Sequence, residues 1–167
     1  MTVIIGVDPH KASHTAVAIS DGEEELDRRK VRSGGAQLSQ LVSWAEPFEK
    51  RTWAIESASG LGYLLAQQLV AAGETVVDVP ATLASRARLL ATGRSNKNDP
   101  NDALSVAIAA LRSPGLRCVA AVGHSEVLRL LAKRNIDIGN QRSRVVSRML
   151  PVGGAGWGWN RQGNQRF

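Results

Sequence analysis

The chain has 167 residues, of which 43% are hydrophobic and 22% are charged. This length suits one ordinary domain, and the composition excludes disordered and fibrous proteins. A single cysteine, Cys118, excludes an internal disulfide. The apolar run at the amino terminus is much shorter than the roughly 20 residues that a membrane span requires. We therefore expect a soluble, cytoplasmic protein.

Charge is divided unevenly along the chain. The net charge is +6, yet residues 1–85 hold 7 basic and 11 acidic residues, whereas residues 86–148 hold 12 basic and 4 acidic residues. An acidic front followed by an arginine-rich segment predicts a cation site next to a surface that binds a polyanion. On charge alone, a solvated basic helix face is an equally good interpretation.

The first 79 residues alternate between strand and helix patterns. The apolar run Val3–Val7 predicts a buried strand that ends at Asp8-Pro9. Further strands are predicted at 15–20 and 25–31, around the turn Asp21-Gly22, and at 52–56 and 75–79. Apolar residues at helical spacing predict helices at 36–48 and 60–72.

After Pro80 the pattern becomes helical and basic. Helices are predicted at 81–91, at 99–111 and at 124–150, the last interrupted by Gly139. The order of elements predicts an α/β fold with a mixed sheet flanked by helices. Residues 151–167 hold five of the 16 glycines without any period, and we expect a disordered tail there. The predicted domains are therefore 1–112, a basic helical segment at 113–150, and the tail.

Four carboxylates stand where strands or helices meet loops. Asp8 and Glu56 end two predicted strands, and their side chains converge at one sheet edge if the strands are neighbours. Asp99 and Asp102 are three residues apart at a predicted helix start, on one face of its first turn. Such a cluster needs cations to neutralise it, and Mg²⁺ prefers hard oxygen ligands. The four residues are thus candidate metal ligands.

Each carboxylate also has a plain structural interpretation. Asp99 fits the N-cap of a helix, with Pro100 at the first position and Asp102 at the third, and spacing alone favours this capping role for the pair. Glu56 could be an exposed loop residue. Asp8 could simply end its strand and accept hydrogen bonds from the next backbone amides. It has better functional odds, however, because a carboxylate at the tip of a buried strand is costly unless a partner compensates for it.

Several segments resemble the insertion-sequence 110 family of transposases. These are GVDPHK at 6–11, AIESASG at 54–60, the stretch at 79–110 that contains KNDPNDA, and the arginine-rich run at 134–150. These segments are distributed over the chain from residue 6 to residue 150. The combination of GVDPHK with KNDPNDA is specific, whereas a lone Asp-x-x-Asp would be weak.

The resemblance implies a RuvC-like domain with an RNase H-like fold and a DEDD metal site at Asp8, Glu56, Asp99 and Asp102. It also implies Mg²⁺- or Mn²⁺-dependent DNA strand cleavage and exchange during movement of a mobile element. A structured guide RNA and a homo-oligomer are further expectations from the family. Members continue into a coiled coil and a domain with a nucleophilic serine. Nothing here matches that domain, so we expect a truncated chain that is inactive alone.

The sequence leaves two other functions open. An actin-like or sugar-kinase-type ATPase normally has glycine and Ser or Thr after the first aspartate, whereas Pro9 lacks the amide that would contact phosphate. A non-catalytic nucleic-acid-binding remnant would use the basic residues and ignore the carboxylates. The basic residues that we expect to bind nucleic acid are Lys11, Arg86, Arg88, Arg94, Lys97, Arg142, Arg144 and Arg148.

Overall fold

Ten helices and strands are defined in a computed structural model, which describes residues 2–92 and 99–149. In chain order they are β1 (Val3–Pro9), β2 (Ser13–Ile19), β3 (Glu25–Arg32), α1 (Gln37–Ala45), β4 (Arg51–Glu56), α2 (Tyr63–Ala71), β5 (Val76–Val79), α3 (Ala81–Thr92), α4 (Asp99–Arg112) and α5 (His124–Met149). The predicted tail at 151–167 lies outside the described residues, as does the loop at 93–98.

The five strands form one mixed sheet in the order β3-β2-β1-β4-β5. The first three strands make an antiparallel meander, in which Ile4 pairs with Ile19. Both β1–β4 and β4–β5 are parallel pairs, and each connection between them runs through a helix. The α/β fold with a mixed sheet and flanking helices is therefore confirmed.

Each face of the sheet is covered by its own layer of helices. Ile5 and Val7 of β1 belong to the core cluster that includes Leu41 of α1 and Leu65 of α2. The opposite face, which we call the α4 face, packs β2, β4 and β5 against small residues of α3 and α4, among them Ala103. Because strand side chains alternate between faces, β1 is buried on both sides, as its continuous apolar run predicts.

Close approach of α4 to the sheet depends on Gly6. A Cβ on Gly6 would overlap the carbonyl oxygen of Ala103 and lie 2.5 Å from the amide nitrogen of Ala107. Real Cβ atoms do not approach other heavy atoms so closely, so the helix backbone rests directly on the β1 backbone. Small residues on both partners, glycine on the strand and alanine on the helix, make this packing distance possible.

Residues 113–122 run back along the outer edge of the sheet. The Val119 amide donates to the Val76 carbonyl at 2.9 Å, and the Asp78 amide donates to the Arg117 carbonyl at 2.9 Å. This pairing covers the exposed edge of β5. The chain divides into two compact units, Met1–Val122 and a second one that begins at Gly123.

In the second unit, α5 is one continuous helix that passes through Gly139 without a break. A single glycine costs a helix only about 1 kcal/mol relative to alanine, so the expected interruption does not follow. Every α5 residue whose burial is described is exposed. Within the described chain, no helix is both long enough and apolar enough to span a bilayer.

Candidate metal and nucleic-acid site

Asp8 and Glu56 lie side by side on two neighbouring parallel strands. Val7 of β1 pairs with Ile55 of β4, and each carboxylate is the next residue of its strand. Ala54, two residues before Glu56, packs in the cluster on the α4 face, so Glu56 projects to that face. Asp8 is two residues after Gly6, which faces α4, so Asp8 also projects to the α4 face. It is only 6% exposed. The two strands are therefore neighbours, as the predicted convergence of Asp8 and Glu56 requires.

The direction of α4 brings its first turn to the same sheet edge. At the end of the helix, Arg112 donates from Nε to Oε1 of Glu23, at 2.5 Å. Glu23 lies in the turn after β2, which is at the amino end of β1 because Ile4 pairs with Ile19 in an antiparallel ladder. The start of α4 therefore lies toward the carboxyl end of β1, where Asp8 stands.

Asp102 lies in the first turns of α4 and is buried, with 9% of its surface exposed. Its carboxylate accepts a hydrogen bond from Nη1 of Arg88, on α3, as part of an ion pair. A helix cap does not require such burial, and in this structure the ion pair with Arg88 accompanies it. Asp99 is the first residue of α4, but its side chain lies outside the described residues.

The Arg88 contact differs from the role expected from sequence. Arg88 was predicted to bind nucleic acid, yet its side chain is only 22% exposed and contacts Asp102. A guanidinium that neutralises a buried carboxylate offsets the large cost of leaving that charge alone. In this structure, Arg88 therefore neutralises the charge of the buried Asp102.

The donor set suits a divalent cation in its chemistry, although it is not a closed cage. Among the side chains that the structure describes, no three His, Cys, Asp or Glu groups lie close enough together to hold a metal. Asp8 and Glu56 are adjacent hard-oxygen donors, the ligand type that Mg²⁺ and Mn²⁺ prefer. Asp102 shares their edge but is held by Arg88.

Thr15 adds a polar group that the sequence analysis missed. It pairs directly with Asp8 across β1 and β2, so both side chains project to the α4 face. Thr15 is 4% exposed, and its Oγ1 is buried without a hydrogen-bond partner. Burying a hydroxyl in this way is unfavourable. The hairpin register could have revealed it, but no sequence motif includes Thr15.

Two histidines flank this edge in different ways. His10 is half exposed, and its Nδ1 lies 3.3 Å from Oδ2 of Asp8. His14 projects to the other face of the sheet, where its Nε2 is 3.0 Å from Oε1 of Gln37. Burial lowers the pKa of His14, the hydrogen bond with Gln37 opposes this, and the charge of His10 lowers the pKa further. Neutral His14 is thus the favoured form at pH 7.

The other predicted nucleic-acid residues fall into three groups. Lys11, in the bend after β1, and Arg86, on α3, are exposed in the first unit. The exposed arginines of the second unit are on α5: Arg142, Arg144 and Arg148. Arg94 and Lys97 lie outside the described residues. Lys11 stands at the same sheet edge as Asp8, because β1 leads directly into its bend.

Two insertion-element proteins are similar to the chain in sequence. It is 31% identical over 146 residues to the "Insertion element IS116 uncharacterized 44.8 kDa protein" of Streptomyces clavuligerus, a match over 87% of this chain and 36% of that protein. It is 30% identical over 145 residues to the "Insertion element IS900 uncharacterized 42 kDa protein" of Mycobacterium paratuberculosis, over 84% and 36%. The chain thus spans about a third of the length of these relatives.

Solved structures of RuvC have a similar fold. Thermus thermophilus RuvC in complex with a Holliday junction substrate superposes with a TM-score of 0.54 at 14% identity, covering 71% of this chain and 100% of RuvC. A second structure of T. thermophilus RuvC gives a TM-score of 0.53 at 15% identity, with the same coverage. At this identity the likeness concerns the fold, and it confirms the expected RNase H-like, RuvC-like architecture.

A family model extends over most of the chain. The model of the IS110-type DEDD family, described as "Transposase", matches residues 5–152. This range includes all four predicted carboxylates, the sheet and the long basic helix. The chain belongs to the IS110 family of DEDD transposases.

Proposed function

We propose that this chain provides the metal-binding, DNA-cleaving part of a transposase that moves an insertion sequence. The observation that supports this most strongly is the placement of Asp8 and Glu56. They are adjacent, on one face, at the carboxyl end of parallel strands, and the first turn of α4 adds Asp102 at the same edge. Carboxyl ends of parallel strands are a common position for ligand sites in α/β folds.

In this proposal Asp8 and Glu56 hold a divalent cation, Mg²⁺ or Mn²⁺, with Asp102 and Asp99 supplied by α4. When bound, such an ion stabilises charge on the attacking and leaving oxygens of a phosphodiester displacement. Asp102 would hold the cation in place of its ion pair with Arg88. The Arg88 guanidinium would then be able to pair with a phosphate oxygen.

The partner proposed for this site is DNA of the mobile element and of its target. RuvC, with a similar fold, has been solved in complex with a Holliday junction. The exposed basic residues Lys11 and Arg86 and the arginines of α5 supply positive charge for a phosphate backbone. A guide RNA and a homo-oligomer remain predictions from the family. Strand exchange by the whole protein is likewise a proposal, because the chain spans 36% of its relatives.

The test is calorimetric titration of Mg²⁺ and Mn²⁺ into the full chain and its Asp8→Asn variant. We expect the wild type to bind the ions and Asp8→Asn to lose measurable binding, because a neutral amide is a poorer ligand than a carboxylate. Asp21→Asn is the matched control. It removes the same charge from the exposed turn at the opposite edge of the sheet and should bind metal like the wild type.

A second candidate is a nucleic-acid-binding protein without metal chemistry. It is favoured by the absence of a three-ligand cluster among the described side chains and by the exposed arginines of α5. The same variants separate the two functions. Salt-sensitive DNA binding by a wild type that takes up neither ion would favour the second candidate, whereas metal binding that depends on Asp8, with DNA binding unchanged in Asp8→Asn, supports the first.

A further inference from the structure

The edge strand β3 places its basic residues on two different faces. Arg28 pairs with Val17 and Lys30 with Thr15, and both of these β2 partners face α4. Arg32 pairs with Ser13 in the same alternation. Arg29 pairs with Ala16, which belongs to the core cluster on the opposite face. The three residues Arg28, Lys30 and Arg32 therefore form one row, which we call the β3 basic row.

This row is in register with the sheet edge where Asp8 and Glu56 lie, which we call the carboxylate edge. Asp8 pairs with Thr15, and Thr15 pairs with Lys30, so the three residues lie across three adjacent strands on one face. Neighbouring strands are about 4.8 Å apart, which puts the Lys30 backbone about 10 Å from that of Asp8. A lysine side chain can bridge much of that distance.

The β3 basic row is accessible. Helix α4 covers β1 and β2, while all three residues of the row are exposed at the edge of the sheet. Arg28 shares an exposed ion pair with Glu25, with its Nε 2.6 Å from Oε1. Such an exposed pair is worth less than about 1 kcal/mol, so a phosphate can replace the glutamate.

We propose that the β3 basic row binds the phosphate backbone of the DNA strand that enters the carboxylate edge. Residues two apart on a strand are about 7 Å from each other, close to the separation of successive phosphates on one nucleic-acid strand. Lys30 would then hold a phosphate beside the one at Asp8 and Glu56, and Arg32 and Arg28 would hold its neighbours. This inference rests on the proposed function and adds a DNA-binding surface outside α3 and α5.

Basic residues on an edge strand also have a simpler use, since lysine and arginine discourage edge-to-edge pairing of sheets. Protection against edge-to-edge pairing depends on the positive charge along β3 and not on the face to which each basic side chain projects. Arg29 therefore provides a matched control on the same strand. Arg29 lies on the other face, where it lines a shallow cavity with Ser43 and Trp44 of α1, and its replacement removes the same charge.

The test measures binding of a fluorescent DNA oligonucleotide to the full chain and to Lys30→Gln, Arg32→Gln and Arg29→Gln, in EDTA and over a range of salt concentrations. We expect Lys30→Gln and Arg32→Gln each to weaken binding about 3-fold to 10-fold at low salt and to lower the log–log salt slope by about 1. Arg29→Gln should stay within about twofold of the wild type. Circular dichroism checks that each variant is folded.

Equal weakening by all three variants, no weakening by Lys30→Gln, or no DNA binding by the wild type would overturn the inference. If Lys30→Gln and Arg32→Gln weaken binding of an RNA of the same sequence but leave DNA binding unchanged, the assignment to DNA is overturned. The metal titration of Asp8→Asn is independent, because DNA binding is measured in EDTA. If Asp8→Asn loses metal binding but Lys30→Gln and Arg29→Gln weaken DNA binding equally, the proposed function stands and the β3 basic row is ruled out. If Lys30→Gln alone weakens DNA binding but the wild type binds no metal, the DNA surface stands and the proposed function is ruled out.

Discussion

The buried polar and charged side chains at the carboxylate edge differ in whether a partner satisfies them. Asp102 has a cation, Arg88, within hydrogen-bonding distance, and Asp8 has His10 nearby. Thr15 Oγ1 has no hydrogen-bond partner despite its burial. An unsatisfied buried hydroxyl costs about 1–3 kcal/mol, a cost that a ligand at this edge would remove. We therefore regard Thr15 as a positioning residue for what Asp8 binds.

Thr15→Val tests this role through two opposite effects. Valine has nearly the same shape, so we expect the metal-free protein to become more stable by about 1 kcal/mol as the unsatisfied hydroxyl is removed. Metal affinity should fall roughly tenfold, as expected for a polar group that orients a ligand. Chemical denaturation and calorimetric titration measure the two quantities, with Thr15→Ser as the control that keeps the hydroxyl. Unchanged metal affinity in Thr15→Val would show that Thr15 has no such role.

At the scale of elements, contact between α4 and β1 determines where Asp102 stands. The helix lies close to the strand because Gly6 has no side chain, and its direction is determined by packing of its alanines against the sheet. Rigid elements position ligands more accurately than loops do. A small shift of α4 would therefore change the site without changing any site residue.

Gly6→Ala should separate the helix from the sheet. Its Cβ would meet backbone atoms of Ala103 and Ala107, which cannot rotate away as a flexible side chain could. We expect a loss of about 3 kcal/mol in the free energy of unfolding, at the upper end for overpacking, together with weaker metal binding. Denaturant melts and titration measure both. Gly34→Ala is the control, since a Cβ there meets no atom within 4 Å. Wild-type stability in Gly6→Ala would contradict this account of the packing.

At the scale of the whole molecule, the two compact units differ in how they bury apolar surface. Both core clusters lie in Met1–Val122, including the partly buried Val119 of the edge segment. On α5, by contrast, every described side chain is exposed, including Leu128, Leu131 and Ile136. The first unit thus has the features of an independently folding domain.

A variant that ends at Val122 should fold alone. We expect its free energy of unfolding to differ from that of the full chain by less than about 1 kcal/mol, because no described core residue is removed. Metal binding should be unchanged, whereas the salt slope of DNA binding should fall by about 1 for each α5 arginine that contacts phosphate. Melting curves and binding isotherms at several salt concentrations provide the check. Loss of the cooperative transition would show that α5 contributes to the core.

The sequence predicted most of the elements because their signals are local. Alternation and continuous apolar runs located the strands, and helical spacing located α1 to α5. The long helix predicted at 124–150 is present as α5, and only the interruption expected at Gly139 was wrong, because a single glycine costs a helix about 1 kcal/mol. Asp8 and Glu56 could be predicted as neighbours because each ends a strand. Asp99 and Asp102 were candidate ligands because of the family motif, whereas spacing alone favoured capping.

By itself, then, the sequence determined the α/β fold class, the family and the candidate carboxylates, since these depend on local pattern and short motifs. Only the tertiary structure decided that Arg88 neutralises Asp102 and that Thr15 lies beside Asp8. The same is true of Lys30, which pairs with Thr15 on the same face of the sheet. These relationships depend on strand register and on which helix covers which face. Residues far apart in the chain meet through backbone pairing and core packing, and no local pattern encodes those distances.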